Sequence, residues 1–147
     1  MAIRSLTVLV LCAALFSFDE RPGGDTFSIY LNEKLLLQQH VWLERGVKDI
    51  SLAGTKATDV LRIQYSHCGK TGTARSLAVL NGENKIIKTW SFADTDPVRM
   101  EVAVAELLKL QKTSGRPLHL VYASTEMPEG KTLVNIEAPD APRASLR

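Results

Sequence analysis

Residues 60–66 read VLRIQYS, apolar at Leu61, Ile63 and Tyr65 and polar at Arg62, Gln64 and Ser66. Alternation this strict suits a strand with one face in a core and the other in water. The same period recurs along the chain. Phe27, Ile29 and Leu31 share a face over residues 26–31. Over residues 35–43, Leu35, Leu37, Val41 and Leu43 share a face that Gln39 interrupts, and Gln38, His40 and Trp42 take the other. Weaker or shorter runs follow at 47–52, 76–80, 85–92, 118–123 and 132–138. Turn chemistry separates them: Asn32-Glu33-Lys34, Glu44-Arg45-Gly46, the segment ADTDP at 93–97 and EMPEG at 126–130. Asn81-Gly82 between two apolar runs favours the positive-φ backbone of a hairpin turn.

One segment changes period. Over residues 103–112 (AVAELLKLQK), Val104, Leu107, Leu108 and Gln111 follow helical spacing, and Gly115 and Pro117 stop the helix. Short strands about ten residues apart, with no βαβ alternation, predict a mainly β fold. The expectation is a single antiparallel β-sandwich of about eight strands with one short helix near residues 103–112, spanning residues 25–138. Residues 139–147 (PDAPRASLR) read as a disordered tail.

The first residues point to export. Arg4 precedes an apolar run from Leu6 to Phe18, too short to span a bilayer and suited to the h-region of a secretory signal. Residues 1–17 are therefore read as a signal peptide, with a poor cleavage site, and 18–24 as a flexible lead-in. The mature chain would be secreted or periplasmic, with no stable membrane span. It would lose Cys12 and keep Cys68 as its single thiol, so no internal disulfide is available. With 147 residues, 45% hydrophobic, a proper core is within reach. A formal charge of +2 gives no nucleic-acid surface.

Chemistry-bearing residues concentrate in HCGKTGTAR at 67–75. The stretch resembles the loop of cysteine phosphatases, which follows a strand and sets a thiolate among backbone N–H groups and an arginine. Here Gly72 and Arg75 each fall one residue late, and 76–80 reads as a strand where that family begins a helix. Gly69-Lys70-Thr71 lacks the upstream glycine of a phosphate-binding loop. His40, His67, Cys68 and His119 show no metal-ligand spacing, so no metal and no cofactor is expected. His67, Cys68, Lys70 and Arg75 stand as a candidate ligand-binding loop at the end of the sandwich. In the plainer reading of the same loop, Cys68 packs as a small hydrophobe and Lys70 and Arg75 are solvated. Trp42 stands as a possible surface contact, while Trp90, beside Ile86 and Phe92, is expected in the core. Asp94 and Asp96 fit turn bonding better than calcium. No Ser-His-Asp arrangement follows from spacing.

The segments IYLNEKLLLQQ, LRIQYSHCGKTGTARSLAVLNGENKIIKTWSFAD and VAELLKLQ resemble a group of uncharacterised small secreted proteins from Bacteroidota-type bacteria. The resemblance implies export and a β-rich fold and carries no activity. The expectation is an exported non-enzymatic binding module whose partner is a protein, a carbohydrate or a small anionic ligand. The alternatives are a thiol-dependent enzyme or redox protein using Cys68, or a metal-binding protein.

Overall fold

The structure, a computed structural model, describes residues 24–95, 100–115 and 117–137. The signal peptide, most of the lead-in, Asp96 and the tail lie outside the described residues. The strands are β1 (Thr26–Leu31), β2 (Lys34–His40), β3 (Lys48–Ser51), β4 (Val60–Ser66), β5 (Ser76–Leu80), β6 (Ile86–Ser91), β7 (Met100–Ala103), β8 (Leu118–Ser124) and β9 (Met127–Glu137), with helix α1 (Val104–Ser114) between β7 and β8. They form a four-stranded sheet ordered β2-β1-β4-β7 and a five-stranded sheet ordered β3-β9-β8-β5-β6. The mainly β, sandwich-like expectation holds. The strand pairings are antiparallel except that of β3 with β9, which is parallel.

Alternation explains the core. In β4, Leu61, Ile63 and Tyr65 are buried between half-exposed neighbours, and β1 and β8 repeat the pattern with Phe27 and Ile29 and with Leu118, Leu120 and Tyr122. The inner rows of both sheets join one hydrophobic cluster, to which α1 adds Val104 and Leu107. Tyr65 of one sheet stacks on Tyr122 of the other, with centroids 4.2 Å apart. Gln111, on the buried face of α1, donates to the Glu137 carbonyl at 2.8 Å and fastens the helix to the end of β9.

Parity fails where a strand bulges. Between β1 and β2 the register passes from Ile29 opposite Leu37 to Tyr30 opposite Leu35, so Leu36 is extra and Leu35 turns outward. Strand β2 ends at His40, and Leu43, expected inside, is 81% exposed. Gln39 is buried with its amide on the carbonyls of Glu44 and Gly46, where it closes the loop after β2. In β6 the register passes from Lys88 to Ile86, the extra residue is Ile87, and Ile86 faces solvent rather than sharing a core face with Trp90. Trp90 is partly buried and donates its indole N–H to Glu106 of α1 at 3.0 Å.

Two turns differ from expectation. After β5 the positive φ falls on Asn84 rather than on Asn81-Gly82, because the Asn81 side chain accepts the amides of Glu83 and Lys85 and shapes the turn itself. The β8–β9 turn is Thr125-Glu126, and β9 already begins at Met127, so most of the predicted 126–130 turn is strand.

Candidate functional site

Alternation in β4 continues one residue past its end, so His67 follows Tyr65 toward the interior. His67 then makes a two-way backbone bridge with Lys70, N–H to carbonyl at 2.7 and 3.0 Å. The turn between them is Cys68-Gly69, with φ of 50° and 87°. Positive φ at both central residues is the mark of a primed hairpin turn, which glycine tolerates freely and cysteine does not. Cys68 is consequently thrown outward and is an exposed free thiol rather than a packed hydrophobe.

Beneath this turn lies a polar network that ties both sheets together. The Asp25 carboxylate accepts from the Tyr65 hydroxyl at 3.0 Å and from His67 Nδ1 at 3.1 Å. On the other side of the ring, His67 Nε2 is hydrogen-bonded with the Tyr122 hydroxyl at 3.0 Å. Ser124 Oγ lies 3.2 Å from the same nitrogen. The Glu126 carboxylate receives the Thr73 N–H at 2.9 Å and its hydroxyl at 3.1 Å, clamping the loop to the β8–β9 turn. Burial, first of all, raises the Tyr65 hydroxyl well above the ordinary phenol value and the Tyr122 hydroxyl above it, so both stay protonated. The Thr73 amide, chiefly, lowers the Glu126 carboxyl to about 2.

Asp25, His67 and Ser124 thus touch in the order of an acyl-transfer triad. Their surroundings do not suit attack on a carbonyl. Ser124 is buried, and Gly72 lies so close over His67 and Tyr122 that an added Cβ would stand 2.5 Å from the Tyr122 hydroxyl and 3.0 Å from His67 Nε2. The amides that would cradle an oxyanion are engaged elsewhere: Thr73 on Glu126, Ala74 on Asp94, Thr125 on the Thr73 carbonyl. The network fastens the loop down.

Of the four loop residues singled out in the sequence, His67 and Cys68 both reach the Asp25 carboxylate. His67 is held in the network, Lys70 is exposed, and Cys68 Sγ points at Asp25 Oδ1, 3.7 Å away. Arg75 is not solvated: it is 2% exposed and donates to the Ala93 carbonyl at 3.0 Å. Among the described residues no group of three His, Cys, Asp or Glu side chains is arranged to hold a metal ion. Trp42 is 75% exposed, with its ring against Gly24.

A hollow with more room lies on the other side of the same strands. Polar outer residues pair across β2, β1 and β4: Gln38 opposite Ser28 opposite Gln64, and Thr26 opposite Ser66. Short side chains at Thr26, Ser28 and Ser66 leave a trough of about 370 Å³. Gln38, Gln64 and Tyr30 border it, and Thr71 brings the 67–75 loop to its end. That volume falls within the range of small-molecule sites. Asp25, Tyr122 and Ser124 of the network and Ser28, Gln38 and Gln64 of the trough were not singled out from sequence. Parity on β1, β2 and β4 was the available signal for the trough.

No family model, curated protein or solved structure matches the chain. Among the described residues no helix is long and apolar enough to cross a membrane.

Proposed function

We propose that this chain is an exported, non-enzymatic binding module, secreted or periplasmic, whose ligand lies on the outer face of the four-stranded sheet beside the 67–75 loop. The observation that carries the reading is the trough itself, a concave surface of hydroxyl and amide groups on rigid strands. Among the described residues the side chains of Thr26, Ser28, Tyr30, Gln38, Gln64 and Thr71 form no hydrogen bond or ion pair within the protein. Polar groups held in a hollow without protein partners are available to a ligand. The apolar run at residues 6–18 supports export.

Filling the trough tests the binding half. Ser28→Trp places a large ring in it without touching the core, so thermal stability should stay near wild type while ligands captured on arrays of glycans and envelope proteins are lost. Retention of every captured ligand by Ser28→Trp would contradict the reading. Fusion of residues 1–30 to a reporter active only outside the cytoplasm tests export, and an inactive fusion would contradict it.

The exposed sulfur of Cys68 favours the second reading, a thiol-dependent enzyme. The burial of Arg75 on the Ala93 carbonyl, where a thiolate site would need the guanidinium open to an anion, works against it. Titration with a thiol reagent separates the two: the binding reading expects the slow reaction of an ordinary thiol at neutral pH and full ligand capture by Cys68→Ser.

A further inference from the structure

We infer that the trough binds a neutral carbohydrate chain, an assignment of ligand class that rests on the binding reading above. The lining is uncharged: hydroxyls at Thr26, Ser28, Ser66 and Thr71, amides at Gln38 and Gln64, and the aromatic rings of Phe27, Tyr30 and Tyr65. An amide offers a donor and an acceptor side by side, which matches the adjacent hydroxyls of a sugar ring. An aromatic ring at the rim suits the apolar C–H face of the same ring. Phosphate or carboxylate would call for an available guanidinium or ammonium at the site. The cations nearby do not supply one. Arg62 pairs with Glu33 and, at 2.8 Å, with Glu101; Arg75 is buried on the Ala93 carbonyl; Lys70 does not line the hollow.

The shape points to a chain rather than a single sugar. A second hollow of about 120 Å³ adjoins the first through Tyr30 and Gln64 and continues past Asn32 to Glu33 and Arg62. The two follow β1 from Thr26 to Leu31, about 17 Å at the rise of a strand, and reach the turn beyond it at Asn32. That length exceeds one pyranose ring.

Affinity electrophoresis of the purified protein through gels cast with soluble galactomannan, xyloglucan or β-glucan, and in parallel with polygalacturonate or heparin, tests the assignment. The expected result is retardation by at least one neutral polymer, weakened about tenfold or more by Tyr30→Ala or Gln64→Ala and unchanged by Lys70→Ala. Circular dichroism of each variant confirms that its fold is intact. No retardation by any neutral polymer overturns the inference, and so does retardation that neither Tyr30→Ala nor Gln64→Ala weakens. Retardation by the acidic polymers alone, lost in Gln64→Ala, overturns the neutral class while leaving the binding reading standing. Indifference of every captured ligand to Ser28→Trp overturns both.

Discussion

Strands β1 and β4 present two unlike polar surfaces. On the inner side, Asp25, Tyr65, His67 and Tyr122 satisfy one another under Gly72. On the outer side, Ser28, Tyr30 and Gln64 border an open hollow. The same backbone carries both, separated by one residue of parity. A buried donor or acceptor without a partner costs far more than an exposed one, so polar groups facing the interior must be matched within the protein. Those on the outer face are under no such demand. A cluster of reactive residue types can therefore be structural, while plain serines and glutamines form the better surface for a ligand.

The largest expected effect comes from removing the inner acceptor. Asp25→Ala leaves His67 Nδ1 without its acceptor and the Tyr65 hydroxyl with only the weak contact to Met127 Sδ, and should lower stability by about 2–3 kcal/mol, read by denaturant unfolding. A loss below about 0.5 kcal/mol would mean that water replaces the carboxylate and that the network holds little. Gly72→Ala comes next, at about 2 kcal/mol, because its methyl group would collide with the Tyr122 hydroxyl and the loop must lift. Neutral behaviour there would show that the loop is not pressed onto the network.

Two smaller effects sharpen the contrast at the loop. Ala74 sits at φ 48°, a backbone region that disfavours a Cβ. Ala74→Gly should raise stability by about 0.5–1 kcal/mol, and a loss would place the residue elsewhere in φ. Glu126 titrates lower in the fold than its ordinary 4.5, at about 2, so its contribution is present above 4.5 and is lost as pH falls toward 2. The stability gap between wild type and Glu126→Gln should close over that interval. A gap that stays constant down to pH 2 would show that Thr73 does not hold the charged form.

The bounds of β1, β4 and β5 were legible in the sequence because each alternates without interruption and is bounded by turn residues. Helix α1 was legible because its period changes and Gly115 stops it. The faces of Leu35 and Ile86 were not, since a bulge adds one residue and reverses parity, and a bulge has no fixed residue signature. The parallel pairing of β3 with β9 joins residues such as Ile50 and Ile136 that no local pattern connects. The same holds for the site. His67 was conspicuous as a residue type, but its partners Asp25 and Tyr122 come from opposite ends of the chain. Ser28 is inconspicuous in any sequence, and only its register between Gln38 and Gln64 places it in the trough.

The central claim is that stability resides on the inner face of β1 and β4 and ligand binding on the outer face. One paired measurement tests it most directly: thermal unfolding and polysaccharide retardation for Tyr122→Phe and Ser28→Trp side by side. Tyr122→Phe removes the hydroxyl from His67 and should cost about 1 kcal/mol of stability with retardation unchanged. Ser28→Trp should abolish retardation with stability within about 0.5 kcal/mol of wild type. Loss of retardation in Tyr122→Phe at preserved stability, together with full retardation in Ser28→Trp, would place binding at the loop network and contradict the account.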